Sequence, residues 1–156
     1  MEAIIMKAIS ILIVLMGFGL LPLRYNQLKE KGQLHLKLEN IESIEGSIRI
    51  AVFEDKSSFE KKEECELCLE RKVHSTEDIK ITLDSLSFGQ YAIAIYHDQN
   101  DNDKLDKSLL GIPTEPYAFS NNPKVKWKAP SFEEVAFTFS EDQQSLSLTL
   151  KKWKKQ

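Results

Sequence analysis

The residues best placed to do chemistry lie between His97 and Asn122, in the stretch HDQNDNDKLDKSLLGIPTEPYAFSNN. Asp98, Asn100, Asn102 and Asp106 put oxygen-bearing side chains at the first, third, fifth and ninth positions of a short loop, with apolar Leu105 at the eighth. Hard oxygen ligands alternating in a tight turn are how a loop converges on calcium, and a backbone carbonyl, here that of Lys104, supplies the seventh-position ligand. The twelfth position holds Leu109 instead of a bidentate glutamate, so Asp106 would have to bind directly or Glu115 fold back. Calcium is accordingly the one cofactor the sequence suggests. A second chemistry needs no ion: Asp and Asn are strong turn formers whose side chains bond nearby backbone N–H groups.

His97 next to Asp98 raises acid–base work. With Glu115 it would make a metal-assisted hydrolase acting on an envelope or extracellular substrate, the three residues serving as ligands or base. No serine or cysteine sits in an elbow or triad signature. Alternation also puts His97 on the side of Tyr91, Ile93 and Ile95, which is expected to be buried. The non-enzymatic reading is therefore preferred, with His97 structural. His35, His74 and His97 are too scattered to mark a zinc site. Tyr117, Phe119, Ser120 and Asn121 form a candidate binding surface in the second half of the loop, with Trp127 nearby. Their rings either stack on a sugar or close the end of a core. The expected partner is a protein or a polysaccharide, and a purely structural module is the third reading.

Those residues need a frame, and the frame reads as β. Apolar residues alternate with polar ones at Leu34–Leu36–Leu38, Ile48–Ile50–Val52, Ile79–Ile81–Leu83, Tyr91–Ile93–Ile95, Val135–Phe137–Phe139 and Leu146–Leu148–Leu150. Period two buries one face of a strand, and residues 67–73 offer a seventh run. Helix is confined to a short stretch from Ser57 to Glu64 and one turn at Ser131–Glu134 after Pro130. About seven short strands without a long helical period predict an all-β antiparallel sandwich with Greek-key connections. Residues 98–130 form the long gap. Ile112, Pro113, Pro116, Tyr117 and Phe119 within it predict a packed loop, and loops of that length are usually functional or disordered.

The run LSFGQYAIAIYHDQNDNDKLDKSLLGIPTEPYAFSNNPK, followed by PSFEEVAF, resembles an exported bacterial family defined only as a conserved domain of unknown function. The shared pattern is a G-x-Y-A strand, an H-D-x-N loop and a G-I-P-x-E-P-Y-x-F-S-N stretch, from about Gly46 to the C-terminus. The resemblance implies a small immunoglobulin-like or transthyretin-like β-sandwich and no established activity. Where the pattern has Gly at the sixth loop position, this chain has Asp103, and the glycine of EPYGFSN is Ala118. A sharp turn there asks for positive φ, which Asp tolerates better than most residues.

At 156 residues the chain suits one domain. Its formal net charge of −3 gives no basic footprint for nucleic acid. Lys7 followed by an apolar run from Ala8 to Leu21 reads as a secretory signal or an uncleaved N-terminal anchor over residues 1–24, leaving residues 25–156 as the folded domain. Membrane contact is expected only through that segment. An exported protein of this kind would be periplasmic, displayed on the outer surface or secreted. In an oxidising compartment the CELC pair, Cys65 and Cys68, reads as a disulfide, as inert thiols, or less readily as a metal or redox pair.

Overall fold

The computed structural model describes residues 29–62, 64–125 and 128–153. The expected N-terminal signal and Trp127 lie outside them. Among the described residues, eight strands and two short helices follow in chain order: β1 (Lys31–Glu39), β2 (Ser47–Phe53), α1 (Lys56–Lys61), β3 (Leu67–Lys72), β4 (Ile79–Ser87), β5 (Gly89–Asp98), β6 (Tyr117–Phe119), α2 (Phe132–Val135), β7 (Phe137–Phe139) and β8 (Gln144–Thr149). One sheet has the order β4-β1-β8, the other β3-β2-β5-β6, with β7 also pairing β5. The architecture is the expected all-β sandwich. All six alternating runs and the seventh at 67–72 become strands, and Val135 closes α2 instead of opening β7. The eighth strand, β6, is three residues inside the stretch read as loop. One pairing, β1 with β8, is parallel, whereas the other ladders are antiparallel.

The core follows from the period-two pattern. Leu34, Leu36 and Leu38 of β1 point the same way as Leu83 and Leu148 and meet Ile48, Ile50, Val52, Ile93 and Ile95 from the other sheet. Fully burying each such side chain contributes roughly 1.5–3 kcal/mol. The outer face of β2 and β5 carries a second, smaller cluster of Phe53, Phe59, Ala92, Phe132 and Val135, supplied by α1 and α2. Asp55 caps α1 by accepting the Ser58 N–H at 3.0 Å, and the helix stops at Lys62 in the left-handed conformation. β5 is thus buried on both faces, which fixes its last residue, Asp98, rigidly at the end of the sheet.

Three details position the loop that follows. Gly46 has φ +73°, and a Cβ there would fall 1.9 Å from the Asp98 carbonyl oxygen, so only glycine allows β2 to start beside the end of β5. The β2–β5 register then sets Ser47 opposite Asp98 and Arg49 opposite Tyr96. Finally, Tyr117 and Lys151 exchange backbone hydrogen bonds at 3.0 and 2.9 Å, so the residues after β8 lie against β6. Cys65, just before β3, and Cys68, within it, are joined in a disulfide, which decides among the readings of the CELC pair.

Candidate functional site

Asp98 ends β5 with its side chain completely buried. A buried carboxylate must be compensated by hydrogen bonds or charge, and here the loop's own backbone does it. Asp98 Oδ1 accepts the Asn102 N–H at 3.0 Å, Oδ2 accepts the Asp103 N–H at 2.9 Å, and Arg49 Nε lies 3.5 Å from Oδ2. The other buried carboxylate, Glu115, works from the far end of the loop. Its Oε1 accepts the Gln99 N–H at 2.8 Å and its Oε2 the Asp106 N–H at 3.0 Å. The two acids together hold the backbone at residues 99, 102, 103 and 106. Charge-assisted hydrogen bonds of this kind are the strong class.

The exposed side of the same turn is tied to the neighbouring strands. Asp101 accepts from Lys72 Nζ at 2.7 Å and lies 2.8 Å from the Ser47 hydroxyl. Those two bonds, with the nearby charge of Lys72, hold the Asp101 carboxyl below its ordinary value. Asp103 forms an ion pair with Arg49, which also reaches Glu70 at 3.1 Å. The backbone supplies the shape: φ is +53° at Asp101 and +63° at Asp103, so the sixth position makes its sharp turn with Asp in place of Gly. Arg49, Lys72 and Ser47 were not among the residues picked out from the sequence. They come from strands that only the sheet register brings to the loop.

Of the six residues assigned to an ion, Asn100, Asn102 and Asp106 converge. The Asn100 and Asn102 amides donate to Asp106 at 2.8 and 3.0 Å, and Asn102 Oδ1 accepts the Lys104 N–H at 2.9 Å. Asp98 and Glu115 lie deeper and each oxygen already accepts a backbone N–H. Among the described residues no three His, Cys, Asp or Glu side chains come together at metal-holding distances. The fit to a calcium ion is therefore partial. The turn geometry suits one, whereas the oxygens of Asp98, Glu115 and Asp106 are all occupied by N–H donors.

His97 is completely buried, and its Nε2–H donates to the Glu45 carbonyl at 2.7 Å. Its Nδ1 is buried without a partner. That is the structural histidine expected from strand parity.

The second half of the loop divides in two. Lys107 and Pro113 bridge a small hairpin whose turn is closed by Ser108 N–H to Ile112 O at 2.8 Å and Gly111 N–H to Ser108 O at 2.9 Å. Leu109 and Leu110 stand at its tip. Beyond it, the candidate binding residues turn inward. Tyr117 is buried, and burial pushes its phenol up. Phe119 packs edge-on against Phe59 with ring centres 6.3 Å apart. Ser120 is buried, its hydroxyl donating to Val135 O at 2.6 Å and accepting the Ile93 N–H at 2.9 Å. Asn121 donates to Ala136 O at 2.8 Å. Ser120 and Asn121 therefore stitch β5 to the α2 segment, while Tyr117 and Phe119 wall two hollows, of about 410 Å³ and about 160 Å³, that share Val125 and Trp153.

Residues 36–147 match the family described as an uncharacterized protein conserved in bacteria, DUF2141. The chain belongs to this family. The match spans the sandwich from β1 into β8 and so contains the whole of the Asp98–Glu115 loop. No curated protein and no solved structure matches the chain. Within this DUF2141 domain the buried pair Asp98 and Glu115 is the feature that ties the H-D-x-N and E-P-Y parts of the sequence pattern together.

Proposed function

We propose that this domain is a non-catalytic, exported binding module whose 98–122 loop is its recognition element. The observation that carries the reading is that two buried carboxylates hold the loop's backbone, while the loop's tip projects two leucines into solvent. A loop ordered in advance loses less freedom when a partner engages it. The buried ring of His97, with its Nε2 proton on a backbone carbonyl, favours this reading over a metal-assisted hydrolase. Export is supported by the apolar N-terminal run and by the Cys65–Cys68 disulfide, which suits an oxidising compartment. A calcium ion at Asp98, Asn100, Asn102, the Lys104 carbonyl, Asp106 and Glu115 belongs to the proposal as an additional lock on the loop. The partner is a protein or an envelope polymer.

The test places a photo-cross-linking residue at position 109 and, in a control, at exposed Lys80 on the opposite sheet. Each is irradiated with bacterial envelope preparations. Adducts from position 109 and none from position 80 are expected. Equal yields from both positions, or none from either, would rule the loop out as the recognition element.

A further inference from the structure

We infer that the loop tip and the lysine-ringed hollows beside it form a docking surface for an anionic lipid membrane. This rests on the loop being the recognition element and names what it engages.

The apolar part is a wedge. Leu109 and Leu110 are 108% and 85% exposed, and with Ile44 they are the only exposed large hydrophobic residues among those described. They are adjacent, at the tip of a two-stranded turn, and stand outward instead of forming a flat patch. A protein partner would need a pocket cut to that shape, whereas a bilayer interface yields to it. Entry toward hydrocarbon also requires the backbone to be satisfied internally. The tip meets that condition at Ser108, Gly111 and Ile112, whose N–H groups donate within the turn.

The charged part lies beside the wedge. Lys62, Lys107 and Lys128 line the smaller hollow together with Leu110, and Lys124, Lys151 and Lys152 line the larger one. Glu42 is the one acidic residue in either lining, and it pairs with Lys152 at 3.6 Å. The other five lysines make no ion pair within the described residues. Lys62, Lys107 and Lys128 thus stand beside Leu110 with no acidic residue in their shared lining, in a chain of formal net charge −3. Partial burial, and then repulsion from Lys107, holds Lys62 below its ordinary value, and an anionic headgroup between the two would relieve that repulsion. Trp153 forms part of the shared wall, and an indole suits the level of lipid headgroups. Lysine stems lie along apolar surface with the ammonium kept in the polar layer, so the wedge and the charges can act at one depth.

Hydrogen–deuterium exchange of the full chain tests this on phosphatidylcholine vesicles and on vesicles of phosphatidylcholine with phosphatidylglycerol. Both present the same acyl core, so partitioning of any other apolar segment is common to the two arms. The amides of residues 107–112 should exchange at least fivefold more slowly on the anionic vesicles. A Lys107→Glu, Lys128→Glu variant should lose that protection, since each lysine near such a surface is worth roughly a fivefold change in binding. A Leu109→Ser, Leu110→Ser variant should lose it as well, with an unchanged near-ultraviolet circular dichroism spectrum. Equal exchange on both vesicle types overturns the inference. So does protection produced by glycerol phosphate alone, which would make this a soluble-anion site. If the vesicle test fails while position 109 still cross-links selectively to an envelope protein or polysaccharide, the recognition loop stands and its membrane target falls. If both tests fail, neither stands.

Discussion

The root and the tip of the same loop follow opposite physical rules. At the root, two charged side chains are buried and every one of their oxygens accepts a backbone N–H. At the tip, two of the most apolar side chains in the domain are left in water. Either choice alone is unfavourable, because buried carboxylates carry a desolvation cost and exposed leucines gain nothing from folding. Together they make sense as a division of labour in which the root fixes the loop and the tip is free to meet something else. Order at the root is therefore set by hydrogen bonds to buried charge. The hairpin is held by polar bonds at its base, with Leu105, Ile112 and Pro113 half-buried along its length.

The largest loss of stability is expected at Glu115. Glu115→Ala removes the acceptor for both Gln99 and Asp106 and leaves two amides without their charged partner. Hydrogen bonds to charged groups contribute about 1.5–3 kcal/mol each, non-additively, so a loss of about 2–4 kcal/mol is expected in urea unfolding. Asp98→Asn should cost about 1.5–3 kcal/mol, because the amide that replaces one oxygen cannot accept the N–H it meets. A change within about 0.5 kcal/mol for either variant would mean that the root does not hold the loop.

Calcium would act on the same root from the solvent side. If the ion joins the root, thermal unfolding should rise with millimolar calcium relative to EDTA, by up to about 2.7 kcal/mol at a hundredfold excess over its dissociation constant. Magnesium should give less, and Asp98→Ala should abolish the effect. Identical curves in calcium and EDTA would leave the root as backbone chemistry alone.

A smaller effect is expected at the exposed edge of the root. Lys72 and Ser47 hold the Asp101 carboxyl below its ordinary value of 3.8. A depressed folded-state value means that the unfolded chain takes up the proton first as pH falls. The stabilisation is therefore complete above about 3.8 and lost as pH drops through the lower folded value. Asp101→Asn should lower stability slightly at neutral pH and flatten the acid limb, so that variant and parent converge below that window. An acid limb identical to the parent's would show that the Lys72 contact carries no folding energy.

How far all this was readable from the chain depends on whether a feature is local. The sandwich was, because Leu34–Leu36–Leu38 and its counterparts state their buried face within five residues. β6 was not, since three residues of Tyr-Ala-Phe carry no period and become a strand only by pairing with Ala94–Tyr96. In the site, Asp98, Glu115 and the turn at Asp103 were visible as residue types at a spacing. The partners Arg49, Lys72 and Ser47 were invisible, because what brings them there is the register that sets Ser47 between Asp98 and Lys72. Ser120 read as part of a binding surface, yet its hydroxyl is used inside the fold. A sequence shows that a polar side chain exists and does not show which way a corner of the chain turns.

The smallest effect on stability is expected at the tip, and it is the most informative. Leu109→Ser, Leu110→Ser removes two side chains that bury almost nothing in the folded domain, so unfolding should shift by no more than about 0.5 kcal/mol. In the unfolded chain leucine and serine are both in water, so the folded state has no burial to lose. The polar bonds of the turn run through Ser108, Gly111 and Ile112 and are untouched by the change. A loss above about 1.5 kcal/mol would mean that these leucines are covered in the folded protein, by another part of the chain or by a second copy. Repeating the unfolding over a hundredfold range of protein concentration separates those two, because only self-association makes the midpoint depend on concentration. A silent substitution in dilute solution, joined to lost engagement at an envelope surface, is the combination that a purely structural loop could not produce.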